Sequence, residues 1–308
     1  MSAGFVRRPW QVAGLAAVAA AAIAGCGASS ASTPSASGTA TSAGSAAASS
    51  ASALSAVQLA AKTAAGASTV TGTMSVQATV KPGATPTPSG TTGTATSGDL
   101  DLTATFAEQL RPSLLASVDI GSLTSSGSSL PGGLSEILTP STLYLKSSVL
   151  TQELHLSKPW IAIPLSQISK SSGINLSQIL DSVNGNGPLT QSQLLAGATS
   201  VHQAGTSTLD GVPVTEYSGT LSLEKGLARL PSSTRTQLQQ AIAAEGLTTA
   251  SFTVWIDGNH AVRKSVVTEA GKALTETITT TVTSLGKPVN IALPPASQTA
   301  PLPSGTTS

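Results

Sequence analysis

Catalysis needs nucleophiles, acids, bases or metal ligands at workable spacing, and this sequence offers few. Its three histidines, His155, His202 and His260, stand among polar residues in or beside expected strands and turns, where a solvated imidazole is the plain reading. No HExxH spacing occurs, and one cysteine alone makes no metal site. Ser222-Leu223-Glu224-Lys225 has the S-x-x-K spacing of penicillin-binding enzymes, but the companion SDN and KTG motifs are absent. No GxSxG elbow is present. Asn184-Gly185-Asn186-Gly187-Pro188 reads as a turn, lacking the strand and helix that frame a phosphate loop. Asp99 and Asp101, two apart, share one face of a strand and read as its wet side rather than an acid/base pair. Trp160 and Trp255 read as packing residues. The sequence therefore points away from an enzyme, a metal centre and a cofactor.

The one cysteine is informative by its place. Arg7 and Arg8 give a positive start, an apolar stretch runs from about Val12 to Ala24, and Ile23-Ala24-Gly25 leads into Cys26. That stretch is too short to span a bilayer, which takes about 20 residues. It has the length of a signal-peptide core. Ile23-Ala24-Gly25-Cys26 resembles the bacterial lipobox. The resemblance implies that Cys26 carries a diacylglycerol thioether and becomes the mature N-terminus. A thiol used in this way needs no disulfide partner in an exported chain. Two or more acyl chains anchor stably, at about 0.8 kcal/mol per buried methylene. The expected location is the outer face of the cell membrane.

The chain holds 15 Lys and Arg against 14 Asp and Glu; loss of residues 1–25 removes Arg7 and Arg8, leaving 13 against 14 and a net charge of −1. So neutral a surface argues against nucleic acid as a partner. Aromatic residues make up only 3% of the chain, so any core is built from Leu, Val, Ile and Ala. Residues 26–52 hold the lipidated cysteine and a Ser/Ala/Gly tether with no apolar period. Residues 296–308 read as a disordered tail. Between them, residues 53–295 are long enough for one core.

Leu54, Val57, Ala61, Ala64 and Ala65 recur at helical spacing and predict a helix ended by Gly66. In TVTGTMSVQATV the period changes to two, with Val70, Met74, Val76, Ala78 and Val80 on one side. DLDLTATFA repeats the pattern through Leu100, Leu102, Ala104 and Phe106. Further strands are expected near Leu114–Ile120, in TLYLK, PWIAI and VPVTEYSGTLSL, and in the meander SFTVWID, AVRKSVVTE and LTETITTTVTSL with its Gly258-Asn259 turn. Helices are expected near Ile174–Val183, at Gln191–Ala196 and in STRTQLQQAIAAEG. This order suits an α+β fold, a mostly antiparallel sheet with helices on one face.

Lys158-Pro159-Trp160, the run Leu209-Asp210-Gly211-Val212-Pro213-Val214-Thr215-Glu216-Tyr217, and Trp255-Ile256-Asp257 with its hairpin to Arg263 resemble the actinobacterial LppX/LprAFG lipoproteins, as do the lipobox and the helix-then-strand start. The resemblance implies the LolA/LolB-like fold: a strongly curved antiparallel sheet, a half-barrel, closed by helices around an apolar cavity. It also implies the function, shielding or carrying acyl chains of lipids, glycolipids or lipoproteins across the cell envelope. The same fold also serves as an envelope sensor that regulates a protein partner. The Gly/Pro/Thr insert at 81–98 and the Ser/Gly-rich loop at 121–135 depart from the family. Alternation makes Val76, Leu102, Phe106, Leu145, Val254 and Ile256 the expected wall of the lipid cavity, subject to strand register.

Overall fold

The computed structural model describes residues 43–80, 99–125, 128–129, 131–172, 187–230, 246–272 and 274–303, with short pieces between 230 and 246. Cys26, the 81–98 insert and the expected Ile174–Val183 helix lie outside the described residues, as does most of the STRTQLQQAIAAEG helix.

The first element is α1 (Ala43–Gly66), then β1 (Thr69–Val80), β2 (Asp99–Gln109), β3 (Leu115–Ser125), β4 (Ser128–Ser129), β5 (Leu134–Leu138) and β6 (Thr142–Lys146). Next come α2 (Ser148–Glu153), β7 (Trp160–Pro164), α3 (Leu165–Ser172) and α4 (Pro188–Leu194), with a 3-10 turn at Leu195–Gly197. The remainder is β8 (Ala198–Leu209), β9 (Val212–Ser222), α5 (Leu223–Leu227), β10 (Thr249–Asp257), β11 (Val262–Ala270), β12 (Leu274–Leu285) and β13 (Thr299–Pro301).

Among the described residues all the strands join one sheet, in the order β13-β7-β6-β5-β3-β2-β1-β12-β11-β10-β9-β8, with β4 beside β3. Every pairing is antiparallel except β13 with β7. The fold is therefore mostly sheet with few helices. Asp210 and Gly211, both at positive φ, make the two-residue β8–β9 turn that a right-twisted hairpin favours. At the β10–β11 turn, Asp257 Oδ1 accepts the amides of Asn259 (2.9 Å) and Ala261 (3.0 Å).

Three expectations are corrected. Helix α1 starts at Ala43, ten residues inside the expected tether; beyond Gly44 in its first turn, SAAASSASALSAVQLAAKTAA holds no glycine or proline and is rich in the best helix former. The tail is not wholly disordered: Thr299–Pro301 adds β13 to Trp160–Ala162. Lys158 Nζ holds it there by donating to the carbonyls of Ala296 (3.1 Å) and Thr299 (2.9 Å). The expected loop at 121–135 is partly strand, since β3 runs on to Ser125 and β5 starts at Leu134.

One face of the sheet is buried over most of its width. Two large clusters fill it. The first packs Ala53, Val57, Ala60 and Ala61 of α1 against Val201, Leu221, Phe252, Val254, Ile256 and Val262. The second joins Val76, Leu102, Ala104 and Ile120 to Leu134, Leu145, Leu150 and Ile161. A small third cluster, Val70, Phe106, Leu189 and Val282, seats α4 on the sheet between them.

The two phenylalanines of the sheet each lie over a glycine on the next strand. Phe106 is opposite Gly72 and Phe252 opposite Gly219. A Cβ on Gly72 would collide with the Thr281 carbonyl and come within 2.8 Å of the Phe106 ring. One on Gly219 would collide with the Ser200 carbonyl and come within 2.9 Å of the Phe252 ring. Register shifts fall beside both, at Thr71/Gly72 and between Ala198 and Ser200. Such bulge-and-glycine positions are where a sheet bends.

Candidate functional site

The buried face is built in rows by cross-strand register. One row reads Gly219, Phe252, Val267, Ile278, Val76 and Leu102 across six strands. The next reads Tyr217, Val254, Ser265, Thr280, Met74 and Ala104. All six expected wall residues are buried on this face. They do not form one group. Val76, Leu102 and Leu145 belong to the second cluster, Val254 and Ile256 to the first, and Phe106 to the small third. Val76 and Leu102 face each other directly.

A cleft of about 630 Å³ opens where α1 crosses the turn end of β8, β9 and β10. Its walls include Ala56 of α1, Thr206 and Thr208 of β8, Thr215 and Tyr217 of β9, and Ile256 of β10, with His260 at the rim. Of the expected wall residues, only Ile256 lines it. Its surface mixes methyl groups and an aromatic ring with threonine hydroxyls, which suits an apolar body held by a few hydrogen bonds. Asp257 also borders the cleft, but its carboxylate is engaged by the turn amides.

The face also carries acids that sequence reasoning missed. Glu108, Glu269 and Glu276 are buried, and Glu136 projects from the same face between Val118 and Leu145. Each leaves one carboxyl oxygen buried and without a hydrogen-bond partner. Burial pushes Glu108, Glu136 and Glu269 up to about 7 from an ordinary value of 4.5. At Glu108 the Leu189 amide pulls partly the other way. Burial, with the neighbouring Glu269 charge added, pushes Glu276 to about 8. The signal was in the sequence: Glu108 continues the phase of Leu102, Ala104 and Phe106, and Glu276 that of Ile278 and Val282.

The groups weighed for catalysis have other occupations. Ser222 Oγ accepts the Lys225 amide and caps α5, which accounts for the S-x-x-K spacing. Asp99 accepts the Thr79 hydroxyl at 2.9 Å, and Asp101 lies 3.4 Å from Gln77 Nε2 on the wet face. His155, His202 and His260 are exposed. Trp255 and Trp160 lie on the outer face under cross-strand lysines, Lys264 at 4.8 Å and Lys146 at 5.9 Å from the ring centres. Among the described residues no helix is long and apolar enough to cross a membrane, and no three metal-ligating side chains come together.

No family model matches the sequence. A Streptomyces griseus protein, described as an uncharacterized 31.2 kDa protein in the rplA–rplJ intergenic region, is 26% identical over 147 residues, 46% of this chain and 48% of that one. The chain spans about half the length of this curated relative. Among solved structures it is similar to LprF from Mycobacterium bovis, with 16% identity and a TM-score of 0.45 over 80% of this chain and 98% of LprF. It is also similar to the Mycobacterium tuberculosis lipoprotein LppX, with 21% identity and a TM-score of 0.40 over 78% of this chain and 98% of LppX.

Proposed function

We propose that this chain is an envelope lipoprotein, anchored to the outer face of the membrane through Cys26, that shields or carries acyl chains. Its mechanism is partition into an apolar slot, with no bond made or broken. The observation that carries this reading is the cleft between α1 and the β8–β10 end of the buried face. At about 630 Å³ it falls within the range of small-molecule sites. Tyr217 and Ile256 give it apolar walls, and the threonine hydroxyls give an ester or hydroxyl something to bond. A sixteen-carbon chain moved from water into such a slot gains about 12 kcal/mol gross. Transfer out of a membrane and the ordering of the chain offset most of that.

The test is the full chain purified from its membrane and examined by native mass spectrometry, followed by lipid extraction. The expected result is an acyl lipid at near one copy per chain. Thr215→Trp, which fills the cleft, loses it while keeping the far-ultraviolet circular dichroism of the parent. A parent chain that carries no lipid and takes none from vesicles overturns the carrier reading and leaves sensing or scaffolding.

A further inference from the structure

The β11–β12 hairpin crosses the buried face where its two large clusters part. Val267 and Ile278 face each other in register, yet Val267 packs into the first cluster and Ile278 into the second. Both are only half-buried. Two residues further along, Glu269 and Glu276 also face each other. Glu269 is 8% exposed and Glu276 4% exposed, and the Oε2 of each is buried without a partner. At the other end of the same lane, Thr280 Oγ1 is buried and unpartnered as well. Four residues of strand separate Glu276 from Thr280, about 13 Å. The hairpin thus sets two half-exposed aliphatic side chains beside a buried, facing pair of carboxyls whose Oε2 atoms no described side chain satisfies.

We infer that Glu269 and Glu276 seat the ammonium head of a long-chain amine, whose alkyl chain runs along Val267 and Ile278. The inference rests on the acyl-chain reading above but places the head at the β11–β12 end of the buried face, apart from the cleft, whose walls include none of these four residues. Directly opposed side chains on one face of antiparallel strands have Cβ atoms about 5 Å apart, so one small group can touch both. Ionised carboxylates only accept hydrogen bonds and an ammonium only donates them, three in all. Two buried carboxylates without a cation are costly, and removing that cost is what an amine head offers. A calcium ion would need six to eight oxygens, more than two carboxylates supply. No side chain supplies the missing charge among the described residues. The facing positions are Ala250 and Phe252 on β10 and Ala78 on β1, while Lys272 in the turn and Glu224 and Lys225 on α5 are exposed. Arg235 directs its guanidinium to the carbonyls of Ala228 and Leu230. Both carboxyls sit above their ordinary range, so the empty pair retains protons that an ammonium must displace. Amine binding therefore tightens as pH rises from 6 to 8.

The experiment is calorimetric titration of the full chain with decylamine, decanol and decanoate, each below its micelle concentration. Decylamine is expected to bind about tenfold tighter than decanol at pH 8, and decanoate weakest. In the Glu269→Gln/Glu276→Gln double variant the amine-to-alcohol ratio falls to about one and loses its pH dependence, with an unchanged far-ultraviolet circular dichroism spectrum as the control for folding. Equal affinity for decanol and decylamine in the parent overturns the amine seat and leaves the slot. An undiminished preference in the double variant places the seat elsewhere. Failure of all three probes to bind overturns the slot reading along with it.

Discussion

Glutamates at apolar positions make the buried face sensitive to pH. Glu108, Glu136, Glu269 and Glu276 hold their protons up to about 7 or 8 when folded, against an ordinary 4.5. Between those values the folded chain binds more protons than the unfolded one, so its stability falls as pH rises. The relative gain is whole below about pH 4.5 and gone above about pH 8. Each gap corresponds to about 3 to 5 kcal/mol at most, the largest at Glu276. The melting temperature is thus expected to be several degrees higher at pH 5 than at pH 8.5, as differential scanning fluorimetry would register. Glu136→Gln separates the cause, since burial alone raises that group. The variant should melt higher than the parent at pH 8.5 and close to it at pH 5. A profile that rises with pH would show these carboxyls to be hydrated or paired in solution.

Strand elements were legible where one side of the chain is apolar. Alternation in TVTGTMSVQATV and DLDLTATFA predicted β1 and β2 and put Val76 opposite Leu102. Strand β8 escaped because its sequence, ATSVHQAGTSTL, has few apolar residues and it ends the sheet, with most of its side chains wet. The glycine–phenylalanine pairs were hidden too, since a glycine in a strand pattern does not announce which ring will cover it. Gly72→Ala and Gly219→Ala are expected to cost about 3 kcal/mol each, because a backbone carbonyl stands where the methyl would go. Urea denaturation measures this, and a loss below about 0.5 kcal/mol would mean that the strands shift freely. At the other edge, Lys158→Ala removes two charge-assisted hydrogen bonds from the tail strand. A loss of about 1 kcal/mol is expected, together with faster proteolysis near Ala296.

At the scale of the molecule, the sequence disclosed an apolar-faced antiparallel sheet but not the cleft. The cleft depends on α1 reaching back to lie beside β8, a contact between segments some 150 residues apart, and alternation within a strand carries no record of it. The proposed anchor has its own test: Cys26→Ser should move the chain from the membrane fraction to the soluble one, and retention would disprove lipidation at that thiol. The stacked phenyl rings offer a last consequence. Each ring's magnetic anisotropy should displace the α-proton resonances of the glycine beneath it, giving two natural probes that need no label. Phe106 and Phe252 sit in different clusters, so these two signals would register separately which wing of the sheet responds when a guest arrives.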